Sequence, residues 1–179
     1  MDEDGHRRGP IQILRLAYSG ERAAGYAYRG HWRSCSESEE RTRIRQIEEE
    51  EWHHRQLVGE MLASLGARPS RYREARAVVI GRAIQLLCHL APWSVSMYGA
   101  GRLESGNVRE YEVAAAHARG CGRHDVIHCL LGMAEVEWDH ERYFRAKVEG
   151  RWLARLLGLW PSPPPRGRIR AGYGPGTAA

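Results

Sequence analysis

Apolar residues recur at alternating steps of three and four along four long stretches of the chain, the spacing of one buried face of an α-helix. The first stretch starts near Pro10 and runs to about residue 33, and the second covers about residues 39–65. The third starts at Pro92 and ends at the glycine-rich turn at 120–122. The fourth covers about residues 124–157, with a break expected at Gly150. The pattern predicts an all-α protein.

A fifth apolar segment lies in the crossover between the second and third helices, at residues 70–91. Its core, residues 77–91, is interrupted by Arg82, Gln85 and His89. A transmembrane helix needs about 20 consecutive apolar residues, so we do not expect this segment to span a membrane. Two interpretations stay open: a helix packed across the bundle, or an apolar surface that meets a membrane or a lipid-like substrate.

These elements predict a four-helix bundle over residues 10–158, with the crossover helical segment between helices 2 and 3. Residues 1–9 are polar, and we expect them to be disordered. Residues 159–179 are rich in Pro, Arg and Gly, and we expect an extended, basic and flexible tail.

Each of the four predicted helices carries a glutamate on its otherwise apolar stripe. In the second and fourth helices a histidine follows that glutamate by three residues, on the same helix face. The burial of an unpaired carboxylate costs several kcal/mol, and metal ions would supply the compensating positive charge. Two glutamates and two Glu-x-x-His pairs form the ligand set of di-iron carboxylate bundles. The predicted metal ligands are Glu21, Glu51, His54, Glu104, Glu137 and His140.

The predicted ligands on paired helices also lie at similar distances from the turn that joins those helices. Measured from the first turn at Cys35, Glu21 lies 14 residues before it and Glu51 lies 16 residues after it. Glu104 and Glu137 lie 17 and 16 residues from the second turn at Cys121. At a rise of about 1.5 Å per residue, a two-residue difference is about 3 Å, so the partners in each hairpin lie nearly level.

Two alternatives to these ligands are less suitable. Glu50 and His53 are also three residues apart, but they share a mostly polar face, whereas Glu51 and His54 lie on the apolar stripe. Glu112 lies on a polar face of the third helix, only 9 residues before the second turn. Two imidazoles with hard carboxylates predict two iron ions, although the spacing alone does not separate iron from manganese.

Charge and cysteine content narrow the function classes. The net charge of +5 suits nucleic acid or an anionic lipid surface equally. None of the four cysteines forms a Cys-x-x-Cys pair, which argues against a zinc ribbon, a rubredoxin-type iron site and a thioredoxin-like motif. The polar N-terminus does not resemble a signal peptide, so we expect a cytoplasmic protein.

Four segments, one on each stripe, carry a more specific pattern. They are Gly20-Glu21 with Tyr28-Arg29-Gly30, Glu51-Trp52-His53-His54, Leu103-Glu104 with Tyr111, and Glu137-Trp138-Asp139-His140. Together they resemble the motifs of the demethoxyubiquinone hydroxylase family, a ferritin-like branch of the di-iron proteins. The resemblance covers about residues 11–150.

This resemblance implies that the four-helix bundle is ferritin-like. It also implies a di-iron monooxygenase that uses O2 to hydroxylate a quinol precursor in ubiquinone biosynthesis. It implies that the six predicted ligands bind iron and that Tyr111 lies near the site. The chain departs from the family at Tyr18-Ser19, before the first Gly-Glu, and at Glu110, where the family has histidine. It also lacks the Asn/Gln-rich stretch at residues 112–115. These departures leave the exact substrate open.

Three other functions stay open: ferritin-like iron oxidation or storage, rubrerythrin-like peroxide detoxification, and a quinone- or lipid-binding scaffold. The expected partners are O2, a hydrophobic quinol-like substrate and the inner face of a membrane, where the protein would lie peripherally. We expect no nucleic acid partner, and the sequence leaves a homo-oligomer open.

Overall fold

All regular elements in residues 3–173, the part that this computed structural model describes, are helices; side chains are described from Pro10 onward. The predicted all-α class is therefore confirmed for this part of the chain. The α-helices are α1 (Glu3–Ser34), α2 (Ser38–Ser64), α3 (Arg71–Leu90), α4 (Trp93–Gly120), α5 (His124–Val148) and α6 (Trp152–Leu157). Two short 3-10 turns follow at Arg166–Arg168 and Ala171–Tyr173.

The helix ends follow from local sequence. Gly66 has a φ of 66°, and the N–H of the next residue, Ala67, donates to the carbonyl of Leu62 at 2.9 Å, which ends α2. The hydroxyl of Ser70 caps the start of α3. Gly150 has a φ of 73° and separates α5 from α6, which confirms the predicted break.

The start of α1 differs from the prediction. The helix begins at Glu3, and Pro10 lies inside it. Residues 3–9 are therefore helical in the structure, ahead of the predicted start, while residues 1 and 2 lie outside the described part. Proline removes one main-chain hydrogen bond and crowds the preceding turn, but the turns on both sides keep the helix continuous.

The chain divides into two compact units, Met1–Ser96 and Met97–Ala179. In the first unit α1 packs against both α2 and α3. The contact with α3 is close, since a Cβ added at Gly81 would lie 2.7 Å from the carbonyl oxygen of Ala23. An ion pair of 2.6 Å joins Arg55 on α2 to Glu74 on α3. The predicted single bundle over residues 10–158 stays a prediction.

The two faces of α3 differ. Ala77, Gly81 and Cys88 are buried, which agrees with a packed helix. The other face exposes large apolar side chains, namely Val79, Ile80, Leu86, Leu87 and Leu90. α3 therefore has one buried face and one exposed apolar face, and contact of the exposed face with a membrane or a lipid-like substrate stays a prediction. Within residues 3–173 no helix is long and apolar enough to cross a membrane.

The second unit contains most of α4, α5, α6 and the segment that follows them. The ring of Trp160 is buried, and its N–H donates to Glu141 on α5 at 2.7 Å. The side chain of Arg145 donates to the same carboxylate at 2.6 Å and to the carbonyl of Trp160 at 2.9 Å. A Cβ at Gly101 of α4 would lie 2.5 Å from the Trp160 ring, so only glycine fits there.

The rest of this segment is also held, which differs from the flexible tail that composition predicted. Ile169 is buried, and Arg170 donates to both oxygens of Glu135 at 2.7 and 2.8 Å. The indole of Trp138 donates to the carbonyl of Pro164 at 2.9 Å. Prolines exclude a regular helix here, but two apolar anchors and several side-chain bonds replace helical hydrogen bonds. Residues 174–179 lie outside the described part.

Candidate metal centre

In the first unit, Glu21 on α1 lies beside Glu51 and His54 on α2. Each side chain offers one ligand atom, and these atoms lie within 4.8 Å of one another. The three side chains are between 0% and 5% exposed. Because α1 packs against α2, Glu21 of α1 lies next to the Glu-x-x-His pair of α2. We call these three residues the first ligand set.

The register of α2 directs this pair inward. Ile44, Ile47 and Val58 lie on the same stripe and are fully buried. The rival residues point elsewhere: His53 is exposed, and Glu50 accepts a hydrogen bond from Gln46 at 2.9 Å. The structure therefore separates the two candidate pairs by burial. The role of Glu51 and His54 as iron ligands stays a prediction.

Glu48 is a further buried acid that the sequence pattern did not single out. It accepts hydrogen bonds from Arg29 at 2.8 Å, from Trp32 at 2.6 Å and from Trp52 at 3.2 Å. A guanidinium and two indole N–H groups offset its charge. Glu48 therefore has a structural explanation that needs no metal ion.

In the second unit, Glu104 on α4 lies beside Glu137 and His140 on α5. Their ligand atoms also lie within 4.8 Å of one another, and all three side chains are fully buried. Glu137 Oε2 lies 3.6 Å from His140 Nδ1. We call these residues the second ligand set. Its composition, two glutamates and one histidine, is the same as that of the first.

The electrostatics of the second ligand set favour a bound cation. Burial raises the pKa of Glu104 well above its usual range, and the negative charge of Glu137 raises it further. His140 and the amide of Asn107 act in the opposite direction but do not reverse the shift. Without a cation, the folded protein thus keeps Glu104 protonated to a higher pH than the unfolded chain does. A divalent ion would stabilise the carboxylate form.

One residue near this set, Asn107, was missed by the sequence analysis as a contributor to the site. The side-chain amide nitrogen of Asn107 donates to Glu104 at 3.0 Å and to Glu137 at 3.4 Å. Partial desolvation raises the pKa of Glu110, an exposed residue of α4, and the charge of Glu137 adds to that shift. From the sequence, only the spacing of three residues could have indicated that Asn107 contacts Glu104.

The other residues considered on α4 are placed as follows. Tyr111 is buried, seven residues after Glu104 and so on the same face of the helix. Glu112 is half-buried and is not in either ligand set. Burial raises its pKa, and Arg109 opposes the shift.

The donor atoms fit a divalent metal ion. Each ligand set combines carboxylate oxygens with one imidazole in a buried environment, which suits iron, manganese or zinc. Buried acids of this kind carry a large desolvation cost unless a positive charge lies beside them. A metal ion is the partner that would offset that cost, and the donor set alone does not select iron.

Comparison with known proteins gives a family match for the part of the chain that contains the first ligand set. Residues 10–93 match the family described as ubiquinone biosynthesis protein COQ7. Searches of curated proteins and of solved structures gave no significant match. The matched segment contains Glu21, Glu51 and His54, while the second ligand set follows it in the chain. The resemblance to the demethoxyubiquinone hydroxylase family is thus confirmed over residues 10–93, where the chain carries the sequence pattern of the COQ7 family.

Proposed function

We propose that this chain is a di-iron, O2-dependent monooxygenase that hydroxylates a quinol-type, demethoxyubiquinol-like ring in ubiquinone biosynthesis. One observation carries the proposal: each unit holds two glutamates and a histidine, buried, with ligand atoms within 4.8 Å of one another. The family match, which includes the first ligand set, supports the pathway.

The proposed architecture is a ferritin-like four-helix bundle of α1, α2, α4 and α5, with α3 as the crossover. In this arrangement each helix with a Glu-x-x-His pair has a partner helix that adds one glutamate. The two ligand sets would then supply the protein ligands of two iron ions. Four carboxylates balance the charge of two divalent ions, which accounts for so many acids in an apolar interior.

Bound iron would supply the reduction of O2, for which the quinol itself gives up two electrons and two protons. One oxygen atom would enter a ring C–H bond, which leaves a hydroxylated quinone, and the other would leave as water. The chain itself provides a dry environment for that chemistry. Val108, Met133 and Phe144 lie buried on the helices that carry the second ligand set. Their apolar side chains exclude water, which limits side reactions. The buried hydroxyl of Tyr111 is the group we expect nearest to the ring, as a hydrogen-bond partner.

The exposed apolar face of α3 supports a peripheral position on the inner face of a membrane. Its large apolar side chains are flanked by Arg71, Arg76 and Arg82, all exposed. Apolar burial and attraction to anionic headgroups would act together, as in amphipathic interfacial helices. A polyprenylated substrate could enter from that surface without crossing water.

The test is aerobic turnover of the iron-loaded protein with a reduced demethoxyquinol analogue, followed by mass spectrometry of the ring product. We expect a mass gain of one oxygen atom that carries label from 18O2 and is lost in Glu104→Gln. Rapid oxidation of ferrous iron without ring hydroxylation would favour the ferritin-like alternative. Peroxide consumption without hydroxylation would favour the rubrerythrin-like one, and quinone binding without either reaction would favour the scaffold.

A further inference from the structure

Asn107 lies between two of the predicted metal ligands. It follows Glu104 by three residues on α4, and its side-chain nitrogen donates to Oε2 of that glutamate at 3.0 Å. The same nitrogen donates to Oε2 of Glu137, on α5, at 3.4 Å. An amide nitrogen carries two hydrogens, so Asn107 has enough donors for both carboxylates. One side chain therefore links the two acids of the second ligand set.

The donor to these acids is neutral, whereas two other buried acids of the chain are paired with a guanidinium. Glu48 receives a guanidinium from Arg29 at 2.8 Å, and Glu141 receives one from Arg145 at 2.6 Å. A guanidinium cancels the charge of its carboxylate and would compete with a metal ion. An amide orients the carboxylate but leaves its charge in place. The pairing at Asn107 is thus suited to acids that must bind a cation.

Helix propensity does not explain the asparagine at position 107. It lies in the interior of α4, where asparagine is a poor helix former compared with alanine or leucine. Its side chain is only partly exposed and is used for the two bonds to the acids. A contribution to the site explains the residue better than helix stability does.

We propose that Asn107 is a positioning residue of the metal centre, which orients the carboxylates of Glu104 and Glu137 and so sets how tightly they bind a divalent cation. The inference rests on the proposed metal centre but not on the proposed substrate. Hydrogen bonds to the ligands of a metal fix their orientation, and their loss typically lowers metal affinity by about 10–100-fold.

The experiment compares the wild-type chain with Asn107→Leu, which keeps a similar size but cannot donate. Ser105→Ala is the matched control on the same helix, because its hydroxyl donates to the carbonyl of Pro161 at 3.1 Å, away from the acids. Calorimetric titration with Mn²⁺, on metal-stripped full-length protein, measures affinity without oxidation. The visible spectrum after Co²⁺ loading reports ligand geometry.

We expect Asn107→Leu to bind Mn²⁺ about 10–100-fold more weakly and to show a shifted Co²⁺ spectrum, with both unchanged in Ser105→Ala. Circular dichroism checks the fold. If the leucine variant does not fold, Asn107→Ala takes its place with the same two readouts. Wild-type affinity and spectrum in the variant would overturn the role of Asn107 and leave the metal centre standing. No binding of either ion by the wild type would overturn the metal centre, and this inference with it.

Discussion

Removal of metal should destabilise this protein in a pH-dependent way, because of the environment of Glu104. Burial and the charge of Glu137 raise the pKa of Glu104 in the metal-free fold above its ordinary value of 4.5. Below that value the carboxyl is protonated in both the folded and the unfolded chain, so the acid carries no charge penalty. As the pH rises above 4.5, Glu104 ionises in the unfolded chain but not yet in the folded one. The folded state therefore loses stability until the pH passes the raised pKa of Glu104.

The stability lost on removal of the metal follows from the linkage between metal binding and folding. A metal ion present at about 100 times its dissociation constant stabilises the folded state by about 2.7 kcal/mol. For a chain of 150–250 residues, about 1 kcal/mol shifts the melting temperature by about 2–4 °C. Chelation should therefore lower the melting temperature by about 5–11 °C at neutral pH.

The assay is thermal unfolding by circular dichroism, with and without a chelator, at a series of pH values. The matched variant is Glu104→Gln, which keeps the shape of the side chain and removes its charge. Without metal, this variant should lose less stability than the wild type as the pH rises above 4.5, and it should gain less from added metal. Equal melting temperatures for chelated and metal-loaded wild type across the series would refute the reasoning.

Three further predictions concern the ligands, the C-terminal segment and the outer face of α3. Glu51→Ala should lower the metal content of the purified protein, measured by inductively coupled plasma mass spectrometry, while Glu50→Ala should not. Equal losses of metal in the two variants would contradict the assigned register of α2. Trp160→Ala should lower the free energy of unfolding in urea by about 3–5 kcal/mol, because a buried ring is lost. The exposed Trp152→Ala should change it by less than about 0.5 kcal/mol, and a similar loss in both would mean that Trp160 is not an anchor. Leu87→Glu should weaken sedimentation with anionic vesicles, and wild-type binding should fall but persist at high salt; no binding of the wild type at low salt would contradict a membrane role for α3.

The sequence by itself determined the helices and most of their ends. A stripe of apolar residues and the cap that ends it are separated by a few residues, so a local pattern contains the information. Gly66 and Gly150 mark helix ends because a positive φ strains other residues. The same periodicity distinguished the buried Glu51 and His54 from the neighbouring pair at Glu50 and His53.

Only the tertiary structure decided which partners the buried residues have. The stripe on α3 indicated an apolar helix, but not that one face contacts α1 while the other stays exposed. Composition predicted a flexible tail after residue 158. It could not reveal the anchoring of Trp160, since that contact requires Glu141, 19 residues earlier in the chain. Asn107 had no evident role in the sequence, since its second acceptor, Glu137, lies 30 residues away. Helical periodicity shows that a side chain faces inward, whereas the group it meets there depends on how distant segments pack.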